Sequence, residues 1–425
     1  MPAAPTVVLV GTLDTKGPEH AFVRDRLRDA GIDVVVVDVG VLGDPSFEPD
    51  VPAAAVAHAA GTTLADVRRA SEGGRGRADA LDAMARGATA VVVELRARGR
   101  CAGAMGLGGS GGTTIVSAVL RSLPLGVPKV LVSTMAAGDI RPYVGARDFT
   151  LVHPVTDVQG LNRVSRRVLA NAAHAMAGMV RHRDDAAAGD AAAPLVALTM
   201  MGVTTRGAQQ VAARLEAAGF ETIVFHANGS GGQAMEELID EGAIDGVVDL
   251  TTSELTSERF GGVVSAGPGR LTAAGRAGIP QVVATGALDV ANFGPRAVVP
   301  ARFDGPDRRI VVHSPTITSV RVDAAEAAEM GRLLAEKVSR ATGPAAVVLP
   351  LGGCSVYEVP DGPFVDRAAD AALFAAIRAG LRPAIECRAA AANINDPAFA
   401  ELAVATFLEL WSRVRPLPAP RGTPG

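Results

Sequence analysis

Four runs in the first third of the chain are apolar at consecutive positions rather than at alternate ones: Thr6–Gly11 (TVVLVG), Asp33–Gly40 (DVVVVDVG), Ala88–Leu95 (ATAVVVEL) and Pro128–Thr134 (PKVLVST). A strand with one wet face alternates, whereas a strand covered on both faces does not. Their β-branched content favours extended backbone, so all four are expected as buried strands. The stretch Pro18–Gly31 between the first two has Pro in its first turn and Gly just past its end, the punctuation of a helix. Strands buried on both faces and joined through helices predict an α/β protein built on a parallel, doubly wound sheet.

The pattern fades near Arg181–Pro194 (RHRDDAAAGDAAAP) and then restarts. Leu13–Gly17 (LDTKG) corresponds to Val203–Gly207 (VTTRG), and Leu27–Gly40 (LRDAGIDVVVVDVG) to Leu215–Asn228 (LEAAGFETIVFHAN). At 425 residues the chain is long for one hydrophobic core. The expected organisation is a Rossmann-like domain over 1–183, a linker over 184–193, a second Rossmann-like domain over 194–415 and a disordered tail over 416–425. Two such lobes imply a facing cleft lined by loops from the carboxyl ends of the strands, where sheets of this kind bind ligands. Ala368–Arg413 reads as helices anchored by Trp411.

Charge excludes some partners. Lys plus Arg number 41 against 45 Asp plus Glu, a net charge of −4, so no nucleic-acid footprint is expected; the basic stretch Arg163–Arg183 reads as a solvated helix face. Three cysteines without a C-x-x-C pair make neither a disulfide framework nor a zinc site. The N-terminus has no signal-peptide pattern and no apolar segment reaches membrane-spanning length; a cytoplasmic protein without membrane contact is expected.

Chemistry concentrates in loops after the strands. Gly106–Thr114 (GLGGSGGTT) has five glycines in nine residues. Glycines adopt angles closed to other residues, so successive N–H groups can face one concavity, and a helix starting there adds its positive end. Thr113 and Thr114 add hydroxyls for a phosphate or a metal ion. The spacing is neither a Walker loop nor a dinucleotide fingerprint, and a bare strand-to-helix turn is the competing reading. In Gly11–Gly17 (GTLDTKG), Thr12, Thr15 and Lys16 can meet an anion and Asp14 can hold Mg²⁺ or a ribose hydroxyl, against a helix cap with a solvated lysine. In Ser133–Gly145, Asp139 is either a metal ligand or the partner of Arg141 in a surface turn. The second lobe offers His226 and Asn228 in a further Gly-rich turn, Glu254, Asp289, Asn292 and His313. His153, His226 and His313 lack metal-ligand spacing, and a lone histidine is more often structural than an acid or base. Cys354 after two glycines is read as a buried small side chain against a nucleophile on a sharp turn.

Taken in order, GTLDTKG, GLGGSGGTT, STMAAGDIRPYVGARD, DVQGLNRVS, MGVTT, FHANGSGGQAME, DLTTSE, GALDVANF and PDGPFVDRAADAALF resemble the bacterial, fungal and plant family that includes the N-terminal inhibitory domain of the tomato mosaic virus resistance protein. The resemblance spans nearly the whole chain. It implies two Rossmann-like domains, a homodimer and an ATP site in the first domain, formed by Gly11 to Lys16 and by Gly108, Gly109, Ser110, Gly111, Gly112, Thr113 and Thr114, with Ser133, Gly138 and Asp139 alongside. Arg206, Ser314 and His153 depart from the family pattern, mostly outside the ATP loops. The plant protein's virus inhibition does not transfer.

The resulting expectation is an ATP-binding protein in which N–H groups of 108–112 hold the phosphates and Asp14 or Asp139 places Mg²⁺. ATP would be coupled, by phosphoryl or nucleotidyl transfer or by ligation, to a small metabolite between the lobes, with His226, Glu254, Asp289 and His313 as the catalytic candidates. Two other classes stay open: a nucleotide-responsive binding protein without turnover, and a lyase or hydrolase that needs no nucleotide.

Overall fold

In the computed structural model, which describes residues 4–72, 76–183 and 193–419, strand β1 (Thr6–Gly11) pairs in parallel with β2 (Asp33–Asp38) on one side and with β3 (Gly103–Gly108) on the other. The chain divides into two units, Met1–Gly189 and Asp190–Gly425. Most of the stretch expected as a linker, 184–192, and the last residues of the expected tail, 420–425, lie outside the described residues.

The first unit continues from β1 through α1 (Leu13–Asp29) to β2, then α2 (Ala53–Ala59), α3 (Leu64–Glu72), α4 (Arg77–Ala97), β3 and α5 (Ser110–Arg121). It closes with β4 (Lys129–Ser133), α6 (Arg141–Val144), β5 (Thr150–Val152) and α7 (Arg163–Arg181). The sheet order is β2-β1-β3-β4-β5, with all pairs parallel. Alternate residues of β1 enter different cores: Val8 and Val10 join Met84 of α4 and Ile115 of α5, while Val7 and Leu9 join Val23 of α1 and Leu169 of α7. That two-sided burial is why the run is apolar at every position. Each fully buried valine or leucine contributes about 1.5–3 kcal/mol.

One expected strand is a helix. Ala88–Leu95 forms the second half of α4; Val92 is buried, but Val93 is 46% exposed, so the run packs through one face only. The third strand is instead GAMGLG at Gly103–Gly108, which has no β-branched residue and carries no propensity signal. Its glycines answer a demand for space. A Cβ on Gly106 would lie 2.6 Å from the Val10 carbonyl oxygen, and one on Gly103 2.7 Å from Met176 Cε. The helix read as starting at Pro18 begins at Leu13 and kinks at Lys16 (φ −129°, ψ 24°), so Pro18 opens its regular part.

The second unit runs β6 (Leu195–Met200), α8 (Thr205–Ala217), β7 (Glu221–His226), α9 (Ser230–Asp240), β8 (Gly246–Thr251), α10 (Ser253–Phe260), α11 (Ala273–Ala277) and β9 (Gln281–Gly286). Next come β10 (Val290–Phe293), β11 (Ile310–Ser314), β12 (Ile317–Arg321), α12 (Ala324–Ser339), β13 (Ala345–Pro350), α13 (Arg367–Gly380), β14 (Glu386–Ala390) and α14 (Pro397–Ser412). Its main sheet is parallel, in the order β14-β13-β9-β8-β6-β7. The first three strands, β6, β7 and β8, repeat the winding of β1, β2 and β3. A separate antiparallel sheet, β10-β12-β11, was not expected. Nor was β14, an edge strand inside the stretch read as helical. Within the expected tail, the Trp411 indole N–H donates to the Pro416 carbonyl at 3.0 Å, so residues 416–419 belong to the described fold.

A single buried cation organises part of this unit. Arg270, fully buried, donates through Nε to Glu254 at 2.6 Å, through Nη2 to Asp249 at 2.7 Å and through Nη1 to Glu236 at 3.3 Å. Removing one partner of a buried ion pair leaves the rest uncompensated, at about 3–5 kcal/mol. Arg270→Met is therefore expected to lower stability by about that amount in urea unfolding. Arg276→Met, which breaks an exposed pair with Asp240, should change it by less than about 1 kcal/mol.

Candidate functional site

The order β2-β1-β3 makes the winding reverse at β1, and in such sheets the crevice opens where the loops after the two central strands part. Those loops are Gly11–Gly17, after β1, and Gly108–Thr114, after β3. They wall a cavity of about 340 Å³ together with the segment after β2 and the N-terminal part of α4. Thr12, Asp14, Thr15, Lys16 and Gly108 through Gly112 all line it. Val39, Val41, Leu42, Leu81, Met84 and Ile115 form its apolar side. A polar end and an apolar slot in about 300–1,000 Å³ is the usual build of a small-molecule site.

The polar end is the start of α5. Gly109 is the N-cap, and the first bond of the helix runs from Thr113 N–H to the Gly109 carbonyl at 2.8 Å. The N–H groups of Ser110, Gly111 and Gly112 precede any helical acceptor and need partners from outside the helix. None of the glycines between 106 and 112 has a positive φ, so the loop does not use the angles open only to glycine. It uses the missing side chains: a Cβ on Gly111 would point at Leu81 and Arg77, 3.6 and 3.9 Å away, on the cavity wall.

Two cations accompany that end. Lys16 has only a long contact with Asp157, 3.9 Å. Arg77, in the first turn of α4, has no hydrogen bond or ion pair among the described residues. Arg77 escaped sequence reading because the second half of its helix resembled a strand. Lys16 is fixed by its backbone: the buried His20 donates from Nδ1 to the Lys16 carbonyl at 2.7 Å, at the kink. Burial lowers the pKa of His20, so the ring is a neutral prop. Gly11 has no room for a side chain, since a Cβ would overlap the same imidazole. Asp14 turns Oδ2 to the N–H groups of Leu42 and Gly43, at 2.7 and 3.2 Å, and leaves Oδ1 buried without a hydrogen-bond partner among the described residues. The helix-capping carboxylate is Asp38, whose Oδ1 accepts from Leu13 and Gly40.

Other first-unit candidates are engaged elsewhere. Thr113 shares a buried 2.6 Å hydrogen bond with Ser133, and Thr114 Oγ1 donates back to the Ser110 carbonyl. Gly138 sits on an exposed turn. Asp139 is clasped by Arg141 through Nε and Nη2, at 2.9 and 2.8 Å, which holds its carboxyl down at about 2; it does not line the cavity, and the surface ion pair is what the structure shows. Among the described residues no three His, Cys, Asp or Glu side chains are grouped to hold a metal ion.

In the second unit, His226, Asn228, Asn292, His313, Ser319 and Tyr357 line a cavity of about 260 Å³. Glu254 and Asp289 are not in it. Glu254 is fully buried and accepts from the N–H groups of Gly229 and Gly232, at 2.7 and 3.1 Å, besides Arg270. It closes the Gly-rich start of α9 with the protein's own carboxylate. Asp289 is also fully buried, bonded through Oδ2 to Ser355 at 3.0 Å beside Arg321. Buried Cys354, with its thiol pushed well up by burial and then by Glu358, is no nucleophile at neutral pH.

The fold and its cavities define a class: a doubly wound α/β protein of two repeated units, the first with a crevice at its topological switch. Comparison with known proteins supplies the family. The N-terminal domain of an uncharacterised protein family (UPF0261) matches residues 5–185 and its C-terminal domain matches residues 193–411; the chain belongs to this family. A UPF0261 protein of Clostridium tetani is 41% identical over 395 residues, 93% of this chain and 96% of its own length. The ToMV resistance protein Tm-1(GCR237) of Solanum lycopersicum is 35% identical over 438 residues, 97% of this chain but 56% of the tomato protein. A UDP-GlcNAc 2-epimerase from Neisseria meningitidis, solved bound to UDP-GlcNAc, aligns at 9% identity over 65% of this chain and 82% of its own, with a TM-score of 0.23, too loose a likeness to carry an argument.

Near the second cavity, Glu358 is raised to about 10, first by burial and then by Asp289. It holds a proton when folded and loses it, when unfolded, near 4.5. The folded state thus binds the extra proton between these values, and stability falls as pH rises through that window. Glu358→Gln, which still accepts from the Cys354 N–H, should flatten the decline in urea midpoint between about pH 6 and about pH 9. An unchanged slope would assign the decline to other groups.

Proposed function

We propose that the first unit binds ATP, with the phosphates at the start of α5 and the base in the slot formed by Val39, Val41, Leu81 and Met84. One observation carries the reading: three N–H groups at a helix N-terminus line a cavity that also receives Lys16 and Arg77, and among the described residues no carboxylate fills that position. Unfilled helix N–H groups with adjacent cations favour a multiply charged anion, and the apolar wall favours one with an aromatic body. The resemblance to the ATP-binding pattern points the same way. The residues present fit Mg²⁺ as well: Asp14 Oδ1, buried and unpartnered, would hold it. Mg²⁺ takes most of its other ligands from phosphates and water, so a three-residue metal cluster is not needed. The homodimer rests on the resemblance.

Bound ATP would supply the phosphoryl or nucleotidyl group for transfer or ligation to a small metabolite. The chain's residues would bind and orient it: the 110–112 N–H groups and Lys16 hold the phosphates, and His20 sets the course of the backbone at Lys16. The reading of a nucleotide-responsive binding protein without turnover draws on a specific observation. Of the four catalytic candidates, Glu254 and Asp289 are locked into buried arginine clusters, which leaves His226 and His313.

Calorimetric titration with ATP and Mg²⁺ tests the site. Micromolar affinity is expected, weakened by Lys16→Ala at least about tenfold, the worth of one charge-assisted hydrogen bond. Gly111→Leu should abolish binding with an unchanged melting temperature, because its Cβ meets only ordinary contacts. No heat with millimolar ATP would overturn the proposal. Phosphate or pyrophosphate release with a metabolite extract would separate the enzyme from the binding protein.

A further inference from the structure

We infer that the cavity of the second unit is a separate binding site for a small monocarboxylate with an apolar body, held by Asn292 with His226, His313 and Tyr357. The inference does not depend on the nucleotide reading, since every residue lining this cavity lies between Met201 and Tyr357.

Among the described residues the polar lining is donor-rich and contains no carboxylate. Asn292, on β10, is 4% exposed. Its Oδ1 accepts from Ser319 Oγ at 2.8 Å, which fixes the amide so that Nδ2 carries the free donors. The partner found for Nδ2 is the Met201 thioether, 3.9 Å away, a weak acceptor. Buried amide hydrogens so poorly matched are destabilising, and an oxygen anion in the cavity would relieve that. Tyr357 Oη lies 3.3 Å from His313 Nδ1. Burial raises the phenol's pKa, so it keeps its proton and stays a donor. His226, from the end of β7, adds an imidazole from another element.

The acids of the neighbourhood are turned away. Glu254 faces Arg270 and the Gly229 and Gly232 N–H groups, and Glu358 and Asp370 face Arg321. Asp289 is bonded to Ser355. A cationic ligand would therefore find amide and imidazole donors with no counter-charge. The rest of the wall is Met201, Val203, Val264, Val290 and Ile317. A polyol would lay hydroxyls against these side chains without partners. An acid with a branched or aromatic body satisfies both walls, and a volume of about 260 Å³ suits a small metabolite.

The test is calorimetric titration of the full chain with 4-methylpentanoate and phenylacetate beside their primary amides. At least one acid should bind at millimolar or tighter affinity, with its amide weaker by about tenfold or more. Asn292→Asp keeps the acceptor for Ser319 and sets a carboxylate against the ligand; it should lose about tenfold or more. Because a new buried charge can disturb folding, His226→Glu, at an exposed position, sets a carboxylate against the ligand independently and should do the same. Lys16→Ala should leave acid binding unchanged even as it weakens ATP, so the two sites stand or fall apart. Absence of binding by both acids, equal binding of acid and amide, or parent-like binding by both carboxylate-introducing variants would overturn the inference.

Discussion

Strand β1 is hydrogen bonded on both edges, to β2 over Thr6–Gly11 and to β3 over Val7–Val10, and the rest of the first unit depends on that double pairing. Parallel neighbours require a crossover, and crossovers are right-handed. A chain that leaves β1 towards β2 and later returns to β3 on the other edge must place its helices on opposite faces. So α1 shares one core with α7, while α4 and α5 share the other. The loops after β1 and β3 then diverge at the carboxyl end of the sheet, and the cavity is the space they leave. The second unit repeats the geometry with β6 between β7 and β8. Topology thus sets where a ligand can sit; the loop residues set which ligand.

The two buried arginines show how the second unit holds its loops. Arg270 and Arg321 each face three acidic side chains, an arrangement whose desolvation cost is tolerable only if the remaining oxygens find donors. They do around Arg270: Glu236 accepts from the N–H groups of Leu271, Thr272 and Ala273, and Glu254 from those of Gly229 and Gly232. The acids are backbone anchors as much as ion-pair partners. Around Arg321 the matching is less complete. Asp289 Oδ1 has no hydrogen-bond partner among the described residues, and Glu358 answers by holding its proton.

What could be read from the chain follows from this division. Runs apolar at every position marked buried strands because two-sided burial acts on each residue separately, and three of the four runs named in the first unit are strands. The fourth failed because valine is compatible with either element when a helix buries one face. GAMGLG failed in the opposite sense, since its glycines are required by neighbours distant in sequence: Val10, Met176 and Val180. The cavity-lining loops were legible because topology puts ligands at strand ends. Arg77 was not, because its place depends on where α4 begins. Glu254 and Asp289 looked like acids at strand ends, which they are; that their partners are Arg270 and Ser355 is information of the folded chain alone.

The two Gly-rich helix starts make an internal comparison. Both α5 and α9 follow a glycine turn, and both present N–H groups with no helical acceptor. At α9 the demand is met from within: Glu254 reaches Gly229 and Gly232, and Gly232 must be glycine because a Cβ would lie 2.1 Å from the Glu254 carboxylate. At α5 the cationic side chains on the cavity wall are Lys16 and Arg77, which would repel no anion and neutralise none of the helix's own positive end. Asp14 could approach, but its Oδ2 is spent on Leu42 and Gly43. A helix start closed by its own carboxylate needs no ligand, whereas one that gathers cations instead leaves charge to be matched. The same chain thus shows what a filled anion position looks like, and the loop at 108–112 differs from it in the way an anion site must.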